Sequence, residues 1–155
     1  YSDFKITLGI SSQCKGIHAF RNGYHEAEKA IGMARTGKMK SDVILFEELG
    51  TLGKILLHAK DEHELEKFAM GMLKDLVNYD RKNGGELLRT LYHYFQEQGN
   101  IHRTARAMMI SIGAVRYRLR RIHEICGLDL SQSRDFYNTH LAIQILFYYG
   151  ISEIQ

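Results

Sequence analysis

The spacing of apolar residues after position 85 constrains the fold most, because it repeats at helical intervals in four consecutive segments. The predicted helices cover 86–98, 101–108, 112–126 and 133–149. The 155-residue chain contains no proline, so no proline interrupts these helices. Asn100 and Ser111 precede two of the segments and suit helix N-caps, while Gly127 suits a helix end. The second half of the chain is therefore predicted to be a helical bundle.

The first half of the chain mixes strand and helix patterns. Apolar residues alternate over 4–10 and form a short run over 43–46, which predicts two strands, and a helical pattern over 17–35 lies between them. Thr36 and Gly37 are expected to end that helix. The chain therefore begins with a predicted βαβ unit, and the predicted fold class is mainly α (α+β).

Two further helices are predicted before a polar boundary. The first covers 47–58, and the second begins after Asp61 as its N-cap and continues to Val77. The stretch 78–85 is polar and ends in glycine, which predicts a domain boundary. The predicted divisions are a first domain, a connecting helix with its linker, and the helical bundle: 1–59, 60–84 and 85–155.

Positive charge is concentrated in the helical bundle. Residues 85–126 contain seven arginines and three acidic residues, whereas 1–84 contain 13 basic and 12 acidic residues. No lysine follows Lys82, so every basic residue of this segment is arginine. The guanidinium group offers a planar set of donors that suits phosphate and guanine edges. The charge distribution therefore favours a nucleic-acid partner.

The segment 112–126 predicts a helix with one apolar face and one cationic face. The residues predicted to face the core are Ile112, Val115, Leu119, Ile122 and Cys126. The residues predicted on the opposite face are Gly113, Tyr117, Arg120, Arg121 and Glu124. Arg116 and Arg118 lie on the two flanks, where the stem of Arg118 can cover the edge of the core. For such a charge run alone, a solvated basic face on an ordinary bundle is the alternative.

A short helix, a three-residue turn over 109–111 and the small Ala105 predict a helix-turn-helix, in which a small residue lets two helices cross closely. In this motif the second helix enters the major groove of DNA. The residues predicted to contact phosphate are Arg103, Arg106, Arg118 and Arg121. The residues predicted to reach into the groove are Arg116, Tyr117 and Arg120. The first turn of the helix adds Ser111, Gly113 and Ala114 to the predicted DNA-binding residues.

The segment 87–136 resembles the C-terminal helix-turn-helix domain of PucR/CdaR-type bacterial transcription regulators. The residues that match the family pattern are Leu88, Thr90, Leu91, Tyr94, Asn100, Ala105, Val115, Arg116, Tyr117, Arg118, Leu119, Arg121, Ile122, Gly127, Leu128, Asp129 and Leu130. Upstream, "GYHEAEKAIGMAR" and "VILFEELGTLGKIL" resemble the end of the GGDEF-like domain that precedes this motif in the family. The chain starts at Tyr1 rather than Met, so we expect a fragment.

The resemblance implies a DNA-binding transcriptional regulator. We expect no enzymatic activity and no cofactor, because no constellation of residues supports either. The expected partners are double-stranded DNA and a second copy of the chain, with no membrane partner. A small-molecule effector is expected to bind a region upstream of this chain. The family usually has His-Arg-Asn-Thr at the start of the recognition helix, where this chain has Ser111, Ile112, Gly113 and Ala114.

This departure motivates a second hypothesis, a helix-turn-helix fold used for protein interaction or dimerisation with little sequence-specific DNA binding. The final helix supports it, because 141–151 is apolar almost all round. Such a helix is either a central core helix or a dimer contact.

Other classes of function have no constellation of residues to support them. The eight histidines are scattered without a HExxH pattern, so no metal site is predicted. The stretch "NGGEL" echoes the GG[DE]EF loop of cyclic-di-GMP synthases but leads directly into a leucine-rich helix. The chain has no membrane-spanning apolar run and no signal pattern, and Cys14 and Cys126 lack CxxC spacing. We therefore expect a cytoplasmic protein with reduced thiols.

Overall fold

The computed structural model describes residues 6–34 and 42–150, which divide into two compact units. The first unit contains 6–34, 42–65 and 147–150, and the second contains 66–146. The predicted helix end at Thr36 and Gly37 lies outside the described residues. The predicted domain boundaries stay a prediction.

The first unit contains the expected βαβ arrangement. Strands β1 (Leu8–Ile10) and β2 (Val43–Leu45) are parallel, and helix α1 (Ile17–Ala34) connects them. Gly9 of β1 lies so close to α1 that a Cβ atom there would stand 2.3 Å from the carbonyl oxygen of Ala27. Glycine is therefore required for this helix to pack on the sheet.

A short 3₁₀ turn and helix α2 (Gly50–His58) follow β2. Apolar residues from α1, β2 and the turn form the buried cluster of this unit: Ala30, Ile44, Phe46 and Leu49.

Helix α3 (Glu62–Asn83) begins as expected, since the Asp61 Oδ1 atom accepts a hydrogen bond from the backbone N–H of His63 at 2.8 Å. The expected end at Val77 is wrong, because the helix continues to Asn83 and stops before Gly84, which has φ of 56°. The polar residues after Val77 resemble a linker in sequence. Asp80 among them is nevertheless buried, so this last part of the helix belongs to the packed structure.

All four predicted helices of the bundle are present, and the second unit contains them up to residue 146: α4 (Leu87–Gln96), α5 (Ile101–Met108), α6 (Ile112–Cys126) and α7 (Ser133–Tyr148). Its buried apolar residues come from all five helices: Ala69, Leu73, Leu76, Val77, Leu87, Leu88, Leu91, Phe95, Ala105, Val115, Ile122, Ala142, Ile143, Ile145 and Leu146. Burial accounts for the apolar character of α7, which favours its assignment as a core helix. Ile112 was expected in the core but is 37% exposed in the first turn of α6.

Within residues 6–34 and 42–150, no helix combines the length and the apolar character needed to cross a bilayer.

An aromatic cluster packs α7 against α4. The His140 ring stacks on Phe95 with centroids 4.7 Å apart and planes inclined by 11°, and Phe136 meets Phe95 edge-on at 5.0 Å. Burial among these rings lowers the pKa of His140, because the apolar surroundings disfavour the imidazolium form.

The stability of the chain should therefore decrease as the pH falls through the ordinary histidine pKa of 6.5. Below pH 6.5 the His140 side chain is protonated in the unfolded chain but stays neutral in the folded one. The unfolded state therefore gains stability relative to the folded state until the pH reaches the lower pKa that His140 has in the folded chain. Urea unfolding at several pH values measures this loss. The His140→Phe variant should show a weaker pH dependence, and the exposed His102→Gln variant serves as the control. Equal pH dependence in His140→Phe and the wild type would contradict the assignment.

Candidate DNA-binding surface

The turn between α5 and α6 is built by local capping. The side chain of Asn100 accepts the backbone N–H of Arg103 at 3.1 Å, which caps α5. Met109 adopts a left-handed conformation with φ of 55°, and the backbone N–H of Ile110 returns to the Ala105 carbonyl at 3.0 Å. The hydroxyl of Ser111 then caps α6 by accepting the backbone N–H of Ala114 at 3.1 Å. The predicted three-residue turn and both predicted caps are confirmed.

Small and buried side chains allow α5 and α6 to pack closely. Thr104 and Ala105 of α5 are buried, and the Thr104 hydroxyl donates to the Asn100 carbonyl at 2.8 Å. On α6, Val115 and Ile122 are fully buried, one turn on either side of the half-buried Leu119. This arrangement fixes which face of α6 points away from the unit.

The outward face of α6 carries Gly113, Arg116, Tyr117 and Arg120, all exposed. Tyr117 is 55% exposed, and the guanidinium carbon of Arg120 lies 5.7 Å from the centroid of its ring. Cation–π attraction therefore holds this arginine beside the tyrosine at the helix surface.

Two arginines of α5, Arg103 and Arg106, are also exposed. Among the residues that the structure describes, neither they nor Arg116 and Arg120 form an ion pair with a carboxylate. These four guanidinium groups are therefore available to an external anion. Ser111 and Gly113 are exposed at the start of α6, and Ala114 is half-buried there.

Arg118 occupies a different environment, between α6 and α4. Its guanidinium group donates to the Thr90 hydroxyl at 3.1 Å and pairs with Glu86 at 3.1 Å, and the side chain is only 24% exposed. Glu86 also pairs with Arg89 at 2.9 Å, and Thr90 donates to the Glu86 carbonyl at 2.7 Å. Arg118 is thus part of a polar network within the unit.

A buried carboxylate lies next to this network. Asp80, at the end of α3, is 1% exposed and accepts the backbone N–H groups of Leu87 at 3.2 Å and Leu88 at 2.8 Å. These are the first two residues of α4, so Asp80 caps that helix from a distance. Burial raises the pKa of Asp80, while the two N–H groups and the nearby Arg118 oppose the rise.

Arg121 contacts α3 as well. Its guanidinium carbon lies 5.4 Å from the centroid of the Tyr79 ring, and the group pairs with Glu124 on its own helix. Tyr79 and Asp80 are consecutive residues of α3, so one short segment contacts Arg121 through Tyr79 and caps α4 through Asp80. The contacts of Arg118 and Arg121 do not test the prediction that these two arginines bind phosphate.

Sequence reasoning missed Tyr79, Asp80 and Glu86, which it placed in or beside a linker. An N-cap is recognised from sequence when it directly precedes its helix, whereas Asp80 stands seven residues before Leu87. No local pattern identifies a carboxylate that reaches across a turn. In the described part of the chain, no group of three or more His, Cys, Asp or Glu side chains is arranged to hold a metal ion.

The segment that forms this surface is similar in sequence to a known family of domains. Residues 87–145, from the start of α4 into α7, match the family described as the PucR C-terminal helix-turn-helix domain. This segment is thus similar to PucR-type helix-turn-helix domains. The expected resemblance of this segment is therefore confirmed, and the outward face of α6 is the surface of its second motif helix.

Two relatives of the PucR-type domain are similar over different lengths. The DNA-binding transcriptional activator AdeR of Bacillus subtilis is 26% identical over 73 residues, which are 47% of this chain and 17% of the relative. The carbohydrate diacid regulator of Escherichia coli is 23% identical over 145 residues, which are 94% of this chain and 37% of the relative. The chain thus spans less than two-fifths of either relative. Both names describe transcription regulators rather than enzymes.

The Asp80→Ala variant should lower the free energy of unfolding by about 2 kcal/mol, since two buried N–H groups lose their acceptor. Urea denaturation at neutral pH measures the loss. The matched control is Asp75→Ala, an exposed position on the same helix, which is expected to change stability by no more than about 0.5 kcal/mol. Equal stability of the two variants would show that the Asp80 cap contributes little.

Proposed function

We propose that this chain carries the DNA-binding part of a transcriptional regulator and that α6 enters the major groove of double-stranded DNA. The observation that carries the proposal is the outward face of α6 within a PucR-type domain, where Arg116, Tyr117 and Arg120 are exposed. In helix-turn-helix proteins this face approaches base edges. The names of the two relatives support the same conclusion.

The cations divide by position along the motif. Arg103 and Arg106 lie on α5, the helix that crosses the DNA backbone in this motif, and are proposed to contact phosphate. Arg116 and Arg120 are one turn apart on α6 and are proposed to reach guanine edges, with Tyr117 between them.

The first turn of α6 has little capacity for polar base contacts. The Ser111 hydroxyl already accepts the Ala114 N–H, and Gly113 offers only backbone. Ile112 is partly exposed, and Ala114 is half-buried. Small apolar side chains contact the methyl group of thymine, so we propose that this turn reads thymine by van der Waals contact.

The alternative function is a helix-turn-helix fold that binds protein. The specific observation in its favour is Met109, which is 92% exposed in the turn, beside the partly exposed Ile112. Selection from a random duplex pool separates the two functions. An enriched sequence supports a regulator, whereas self-association without enrichment supports the interaction module.

Several wider features are proposed from the sequence and the relatives. The parallel βαβ arrangement of the first unit and the match along 94% of the chain support its assignment as the end of a GGDEF-like domain. A homodimer, an effector bound upstream and a cytoplasmic location stay predictions.

DNA affinity should fall steeply with salt, with a log–log slope near −0.9 for each phosphate that is neutralised. Removing the Arg103 charge in Arg103→Ala should therefore reduce the magnitude of that slope by about 0.9. Fluorescence anisotropy with a labelled duplex over a series of salt concentrations measures the slope. Lys74→Ala, which removes an exposed charge from α3, is the control. A slope that is the same for all three proteins would contradict the phosphate contact.

Replacing the thymines of a selected site by deoxyuridine, one at a time, should weaken binding about fourfold at each methyl group that α6 contacts. The Ala114→Gly variant should bind one thymine and its uracil counterpart equally, because the protein methyl that meets the DNA methyl is gone. Wild-type affinity that is insensitive to every substitution would rule out thymine reading by the first turn.

A further inference from the structure

The arginines of α6 fall into two pairs that face different surroundings. Arg116 and Arg120 are exposed on the outward face, whereas Arg118 and Arg121 contact residues of α3 and α4. Four cations on one short helix are therefore not equivalent, although the sequence pattern assigns all of them to DNA.

We propose that Arg118 and Arg121 are positioning residues, whose guanidinium groups are held by the end of α3 and the start of α4 and set the angle of α6, and that neither group contacts phosphate. This inference rests on the proposed DNA-binding function. It differs from that function in the residues that it removes from the DNA surface.

The contacts of Arg118 support a fixed position. Its two partners both lie at 3.1 Å: Thr90 in the first turn of α4 and Glu86, the N-cap of that helix. To reach a phosphate, the guanidinium group would leave both partners, and the Glu86 carboxylate would keep only its pairing with Arg89. That rearrangement is unfavourable, because a hydrogen-bonded ion pair and its electrostatic attraction are lost.

The buried Asp80 increases this cost. Its carboxylate is electrostatically favoured by Arg118 and is otherwise held by two backbone N–H groups. Moving the cation away would leave a carboxylate that is 1% exposed with less compensation. Groups at the end of α3 and at the start of α4 therefore both favour the present position of the Arg118 guanidinium group.

Arg121 is held by the residue next to Asp80. Its guanidinium group lies over the Tyr79 ring and pairs with Glu124. The last turns of α3 therefore contact α6 at Arg121, while Arg118, three residues earlier on α6, contacts Thr90 of α4 and its N-cap Glu86. These two contacts together constrain both the distance of α6 from α3 and α4 and its rotation about its own axis, whereas one contact alone would leave the rotation free.

Lysine separates positioning from phosphate binding. Lysine keeps the positive charge but lacks the planar fork that reaches Thr90 and Glu86 together. Arg118→Lys should weaken DNA binding about tenfold at every salt concentration without changing the salt slope. A phosphate contact predicts instead that Arg118→Lys binds almost as the wild type and that Arg118→Met reduces the slope by about 0.9.

Glu86→Gln gives the opposite sign for the two roles. If Arg118 binds phosphate, removing the competing carboxylate strengthens DNA binding. If Arg118 positions α6, the same change weakens binding, because one of its two partners loses its charge. The arginine–phosphate alternative therefore fails if Glu86→Gln binds more weakly than the wild type.

The experiment uses the 155-residue chain and a labelled duplex enriched by selection, with anisotropy titrations at several salt concentrations. Circular dichroism establishes that each variant is folded at the temperature used, since a purely structural role leaves the affinity of folded protein unchanged. Arg121→Met carries the test if Arg118→Met does not fold, because the Arg121 side chain is more exposed. It should weaken binding with an unchanged slope.

Arg120→Met is the matched control for the proposed function itself. If this variant binds DNA as tightly as the wild type, the assignment of the outward face of α6 as the DNA-binding face is wrong, whatever the Arg118 variants show. The positioning role is overturned if Arg120→Met weakens binding while the folded Arg118 and Arg121 variants either bind as the wild type or show a smaller salt slope. The proposed DNA-binding function is then still supported.

Discussion

The buried carboxylate of Asp80 is the constraint on which the geometry of the helix-turn-helix depends. A carboxylate inside the unit is stable only with several compensating groups. Here these are the first two N–H groups of α4, at the positive end of that helix, and the nearby Arg118. The two N–H groups hold the end of α3 against the start of α4, and Arg118 adds electrostatic attraction from α6. Burial raises the pKa of Asp80, and these contacts oppose the rise.

The same constraint explains how one helix uses a single residue type in two ways. Val115 and Ile122 anchor α6 in the core, and Arg118 lies on the flank between them, where its guanidinium group reaches Thr90 of α4. Arg116 and Arg120 lie on the outward face and reach solvent. The helical period thus distributes arginines between the interior network and the surface without any change in composition.

The features predicted correctly from the sequence are local ones. Asn100, Ser111 and Gly127 act within a few residues of the helix ends that they determine, so the bounds of α5 and α6 follow from the sequence. The predicted end of α3 is wrong, because the last turn of this helix is polar. It is stabilised by hydrogen bonds between Asp80 and the first residues of α4, which the sequence around Asp80 does not reveal. The interior contacts of Arg118 could not be predicted for the same reason, since Thr90 and Glu86 lie about 30 residues earlier.

In the proposed complex, positioning and base reading depend on each other. The hydroxyl of Ser111 is used by its own helix, and Gly113 has no side chain, so polar reading falls to Arg116 and Arg120, one and two turns further along α6. Long side chains reach base edges only when the helix lies at a suitable depth and angle in the groove. The length of each side chain is fixed, whereas the distance from the helix axis to the bases changes along the groove. A recognition helix with an apolar first turn therefore needs a more rigid support than one with polar groups at its tip. The contacts of Arg118 and Arg121 with α4 and α3 provide that support, which explains why half of the arginines on this short cationic segment face the protein.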